Sequence, residues 1–153
     1  MKPFTKLLAL HLALLFSLPL VVVAGERATM PEAQELVARA ISLYDEGGEE
    51  KAFATFENGT DGFIDHDLYI FVFGPERTIV AHGGDAALVG TPAATLVDVD
   101  GVPFGNLFMD TATETGRWVD YKWRDPVTDE VYPKSSWVVL HKGHVFGAGV
   151  YKP

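Results

Sequence analysis

The chain has no cysteine among its 153 residues. That excludes a disulfide framework, a thiolate metal centre and a cysteine nucleophile, so stability outside a reducing compartment has to come from packing. Basic residues are scarce: 12 Lys and Arg stand against 21 Asp and Glu, a formal charge of −9. A surface of that sign repels nucleic acid and anionic membranes at long range. Also missing are a G-x-S-x-G elbow, a phosphate-binding P-loop, a dinucleotide glycine motif and zinc-ligand spacing. No enzyme activity and no cofactor are therefore expected. Beyond residue 24 no apolar run is long enough to span hydrocarbon.

What is present is ample material for one core, with 48% hydrophobic and 12% aromatic residues. The N-terminus reads as an export signal. Lys2 and Lys6 precede the uncharged run Leu7–Val23, and Val22-Val23-Ala24 places small residues before Gly25. Residues 1–24 are thus expected to be removed, leaving ten basic against 21 acidic residues. Retention as a short membrane anchor is the rival reading. Export without disulfides suits a bacterial periplasm, and no stable membrane insertion is expected after cleavage.

Thr29 and Glu32 spell a capping box with Pro31 in the first turn, and Ala33, Leu36, Val37, Ala40, Ile41 and Tyr44 recur at helical spacing. This predicts an amphipathic helix ending at Gly47-Gly48 and a short second helix over Glu49–Glu57. Asp61–Asp67 reads as exposed loop, and Leu68–Phe73, all apolar or aromatic, as a central strand buried on both faces. Thr78–His82 returns as a second strand. Ala86–Gly101 is a long connection of the kind that carries binding residues. Phe104–Glu114 reads as a third helix. Asp98-Val99-Asp100-Gly101 has the start of a calcium loop without its remaining oxygen ligands, so no metal is expected there.

The last quarter predicts three strands, Arg117–Arg124, Pro133–His141 and His144–Tyr151, the last two joined by the hairpin signal Lys142-Gly143. It holds six of the chain's eight Trp and Tyr residues. Alternation puts Val119, Tyr121 and Trp123 on one face and Trp118, Asp120 and Lys122 on the other. The first face serves equally as core filling or as the wall of a ligand pocket. Lys134, with Ser136 two residues on, is either a solvated lysine or an anchor for a ligand carboxylate. His82 fits a ligand contact or a structural strand-end histidine. Gly147 and Gly149 make room either for ligand or for the N-terminal helix. The overall expectation is an α+β domain, residues 25–153, on a five-stranded antiparallel sheet.

LYIFVFGPERTIVAH, DAALVGTPAATLVDVDGVPF and the segment from Gly116 to Tyr151 together resemble the single Cache domain family of PAS-like extracytoplasmic sensors, used in chemotaxis and signal transduction. The most specific pieces are Trp118–Trp123, Lys134-Ser135-Ser136 and Gly147–Tyr151. The resemblance implies a long N-terminal helix, a PAS-like five-stranded antiparallel sheet and a pocket beneath the loop-helix segment. It implies a small organic ligand, a carboxylate or amino acid, held by Tyr69, His82, the Ala86–Thr95 loop, Trp118, Tyr121, Trp123, Lys134, Ser136, Gly147 and Gly149. Similar sequences carry Asn or Pro where this one has Gly83-Gly84, and a charged helix where it has Gly105-Asn106-Leu107. Receptor relatives continue into a membrane span and a signalling domain, whereas this chain stops at Pro153. A free-standing periplasmic member is therefore expected, reporting to a membrane receptor or transporter. A partner-interaction module with a closed pocket is the competing reading.

Overall fold

A computed structural model describes residues 27–152; the expected signal peptide lies outside them. Helix α1 spans Met30–Asn58. Its capping box forms as predicted, with the Thr29 N–H and hydroxyl each 2.7 Å from Glu32 Oε2. The break expected at Gly47-Gly48 is a kink inside one helix, where Gly48 takes φ 78° and ψ 172°. Both halves stay packed because Ala33, Leu36, Val37 and Ala40 before the kink and Ala52, Phe53 and Phe56 after it face the sheet.

The strands are β1 (Ile64–Asp65), β2 (Leu68–Phe73), β3 (Ile79–His82), β4 (Arg117–Arg124), β5 (Val131–His141) and β6 (His144–Tyr151), with helix α2 (Phe104–Thr111) before β4. All pair antiparallel, in the spatial order β2-β6-β5-β4 with β3 on the other edge of β2. The five predicted strands are thus present, and β1 adds a two-residue pairing with the start of β2. Lys142 and Gly143 both take positive φ, 47° and 80°, so the β5–β6 hairpin closes in the twist-compatible turn its sequence announces.

The sheet is covered on both sides. Helix α1 buries Ile70, Val72, Phe146, Ala148 and Val150 on one face. On the other, α2 and the 86–103 segment cover Tyr69, Phe71, Phe73, Val119, Tyr121, Val138 and Val145. Every residue of β2 is buried, as its unbroken apolar run predicts. The 86–103 segment is firmly tied to the β3 edge: Ile79 N–H donates to Thr91 O at 2.9 Å and Ala93 N–H to Arg77 O at 2.8 Å.

Glycines permit the close approaches. A Cβ on Gly147 would overlap the Phe71 ring packed across β6, and one on Gly105 would overlap the Ala93 carbonyl beneath α2. Gly147→Ala forces Phe71 out of a filled core and should destabilise the protein by about 1–3 kcal/mol, measured as a fall in the urea midpoint at unchanged slope.

Candidate functional site

The α2 face of the sheet gathers polar groups from four strands. Strand alternation aims Lys134 and Ser136 of β5, Tyr121 and Trp123 of β4, Tyr69 of β2 and Tyr151 of β6 to this side. Gly149 lies opposite Ser136, and its missing side chain leaves the space taken by Ser136 Oγ and Lys134 Cε. Tyr121 Oη and Ser136 Oγ are 3.0 Å apart in a buried hydrogen bond.

Lys134 is 1% exposed. Its Nζ donates to Tyr69 Oη at 2.7 Å and Tyr151 Oη at 3.2 Å, and sits 4.1 and 4.4 Å from the centroids of those two rings. Burial pushes its pKa down to about 7, against the pull of the Asp67 and Asp125 charges. Burial also raises the pKa of Tyr69 and Tyr151, which therefore remain neutral hydroxyls at neutral pH. Their protons form a chain: Tyr151 donates to Arg124 O at 2.8 Å, leaving Tyr69 to donate to Tyr151 across 3.3 Å.

Behind this cluster is a second one that the sequence reading passes over. Asp67 and Asp125 are buried, and both bond Arg27 Nη1, Asp67 at 3.2 Å. The Arg27 guanidinium in turn lies 5.6 Å from the Tyr132 ring and 6.0 Å from that of Tyr151. Asp67 also accepts the Ala28 N–H at 3.1 Å. The expectation that Asp67 is exposed loop is thus corrected, because its carboxylate is the receptor for the chain entering α1. Asp125 caps its own loop through the Val127 N–H at 2.8 Å, the Asp-Pro turn signal being its one local clue.

Two cavities adjoin the site. An inner one of about 20 Å³ lies beneath α2 among Phe71, Phe73, Phe104, Phe108 and Tyr121. An outer groove of about 540 Å³ runs past Val97, Val99, Lys122, Arg124 and Val131. Tyr69, His82, Leu88 and Trp123 line both and so form the partition between them. His82 Nδ1 accepts the Asp85 N–H at 2.9 Å, and burial lowers its pKa to about 4. It is a neutral imidazole with its proton on Nε2, capping the turn and facing the cavity at once. A Cβ on Gly84 would come within 2.7 Å of the Tyr69 ring, and one on Gly83 within 2.9 Å of Phe56 O, which explains the glycine pair at this turn.

Of the expected residues, the structure brings together Tyr69, His82, Tyr121, Trp123, Lys134 and Ser136. Gly147 and Gly149 share their face but make room for Phe71, Ser136 and Lys134. Trp118 is a correction. It packs against Trp137, ring centroids 5.3 Å apart, within the layer under α1 on the opposite face. Alternation from Tyr121 requires this. Asp98 serves as a loop clamp, its carboxylate accepting the N–H groups of Asp100, Val102 and Lys122 at 2.8–2.9 Å. Among the described residues no His, Cys, Asp and Glu cluster has metal-binding geometry, and no helix is long and apolar enough to cross a membrane.

A family model described as single Cache domain 2 matches residues 23–151. The chain belongs to this family. Its members are extracytoplasmic sensor domains for small ligands and not a family of enzymes. Among solved structures, this Cache domain is similar to a methyl-accepting chemotaxis protein from Vibrio parahaemolyticus, with TM-score 0.68 and 17% identity over 79% of this chain and 86% of that one. It is similar to the periplasmic sensor domain of a chemotaxis protein, with TM-score 0.60 and 22% identity over 80% and 90% of the two chains. A Cache chemosensory domain described for its carboxylic acid recognition gives TM-score 0.58 and 20% identity over 80% and 88%. These likenesses carry the fold alone. No curated protein matches the chain.

Two predictions concern the buried charges. An unfolded lysine keeps its proton to about pH 10.4, whereas Lys134 in the fold releases it near 7. Between these values the unfolded state binds the additional proton, so stability rises with pH. Urea unfolding should show wild type gaining on Lys134→Met between pH 7 and 9.5, by at most about 1.4 kcal/mol per pH unit, with a flat difference below pH 7. Arg27→Met leaves two carboxylates without their partly exposed cation and should cost about 1–3 kcal/mol at pH 7. Arg27 holds the Asp125 pKa down against the upward effect of burial, so that loss should shrink as pH falls below about 4.

Proposed function

We propose that this Cache domain is a periplasmic sensor that binds a small organic carboxylate or amino acid on the α2 face of the sheet, with Lys134 as its counter-charge. One observation carries the reading: a buried ammonium whose hydrogen bonds go to two neutral tyrosine hydroxyls, while the nearby carboxylates Asp67 and Asp125 are engaged by Arg27. A charge held out of water with only neutral direct partners is poorly compensated, and an entering carboxylate supplies what it lacks. Around the inner cavity Tyr69 and Tyr121 offer hydroxyls and His82 an N–H, while Trp123 and Phe104 provide flat apolar walls; Ser136 supports Tyr121 through their hydrogen bond. The carboxylic acid recognition described for a structurally similar Cache domain agrees with this chemistry.

The competing reading, a partner module with a closed pocket, draws on the inner cavity of only about 20 Å³. Ligand entry then requires the Tyr69–Trp123 partition to move, a side-chain and loop rearrangement of the kind sensors undergo on binding.

A panel of short carboxylates and amino acids, tested by thermal shift and titration calorimetry, distinguishes the two. At 100 times its dissociation constant a bound acid should stabilise the protein by about 2.7 kcal/mol. Affinity should fall by up to about tenfold per pH unit above the Lys134 pKa near 7, and Lys134→Met should remove binding while remaining folded by circular dichroism. A panel without a single binder would favour the closed module.

A further inference from the structure

Resting on that reading, we propose that the acid recognised here carries an uncharged apolar tail, aromatic or branched, and that the tail lies in the outer groove against Trp123, Val97, Val99 and Val131. Tyr69 and Trp123 stand between the groove and the anchor: Tyr69 bonds Lys134 and, with Trp123, forms the inner wall of the groove, so that movement of this partition joins the two. A ligand whose acid group reaches Lys134 past Tyr69 and Trp123 therefore has its other end in the groove. That space is about 540 Å³, within the range of organic ligand sites and far larger than a two- or three-carbon acid requires.

Its lining indicates the chemistry of what fills it. Val97, Val99 and Val131 are 49%, 72% and 41% exposed, a concentration of apolar surface that marks a binding edge when framed by polar groups. Two of these valines are held in place. Asp98, between them, takes three backbone N–H groups, one of them from Lys122 of β4. The clamp turns the Asp98 carboxylate inward and fixes the loop that presents its two neighbours, so the apolar edge is preorganised.

The cations at the mouth do not make it a second anion site. Lys122 pairs with Asp100 at 2.7 Å and Arg124 with Asp129 at 3.1 Å. Asp85, Asp98 and Asp129 also line the groove. Its local charge is therefore balanced or negative, which disfavours a second carboxylate on the ligand and favours an uncharged tail.

The test is calorimetric titration of the full chain with acetate, butyrate, hexanoate, phenylacetate and succinate. Affinity should rise about fourfold per added methylene, phenylacetate should bind at least tenfold more tightly than acetate, and succinate no more tightly than acetate. In Val99→Asp, a change at an exposed position, the phenylacetate-to-acetate affinity ratio should collapse towards one at an unchanged melting temperature. If acetate binds and neither chain length nor Val99→Asp alters the ranking, the tail proposal is overturned and the carboxylate reading stands. If none of these acids binds and the amino acids of the wider panel do not bind either, both fall; if only polar amino acids bind, the tail proposal is overturned and the carboxylate reading stands. If Val99→Asp leaves every acid unaffected and abolishes self-association in sedimentation velocity, the valines serve a second copy of the chain, and the proposal is likewise overturned.

Discussion

Lys134 carries its ammonium between the Tyr69 and Tyr151 rings, cut off from water. Removing a cation from water costs several kcal/mol or more, and the surrounding arrangement offsets part of that. Two hydroxyls accept from the amine, two ring faces present negative electrostatic potential, and two carboxylates act from further off. The compensation is incomplete, as the lowered pKa of about 7 shows. A site that holds a charge at this disadvantage is suited to receive the opposite charge from a ligand.

The same constraint joins distant parts of the chain. Asp67 precedes β2, Asp125 follows β4, and Arg27 stands before α1, yet all three meet behind the lysine. The segment leading into the long helix is therefore electrostatically linked to Lys134 through buried groups.

Much of this was legible in the residues. Period-two alternation placed Tyr121 with Trp123 and Lys134 with Ser136, while the β4–β5 register that puts both pairs on one side is set by the fold; the Lys142-Gly143 turn set the β5–β6 register that brings Gly149 opposite Ser136. The same alternation put Trp118 on the far face, and it prevails over the assignment of Trp118 to the pocket by family resemblance. The polar Asp65-His66-Asp67 run has loop composition and so predicts exposure, whereas Asp67 is buried. Its burial depends on Arg27, 40 residues away. Tyr151 was legible as an aromatic on a strand; its bond to Lys134 was not, since no local pattern encodes a contact between neighbouring strands' side-chain tips.

By itself the sequence determined the elements, their faces and the domain class, because those follow from local periodicity, capping and turn chemistry acting over a few residues. It also supplied the inventory of one lysine, three tyrosines and a serine from which the site is built. Only the tertiary structure decided that Lys134 is fully buried, that its partners are neutral hydroxyls, that Arg27 engages both buried carboxylates, and that the glycines of β6 make room for protein side chains. Those facts depend on which surfaces meet when the sheet closes against α2 and α1. Desolvation and pairing are properties of that meeting, and no single strand carries them.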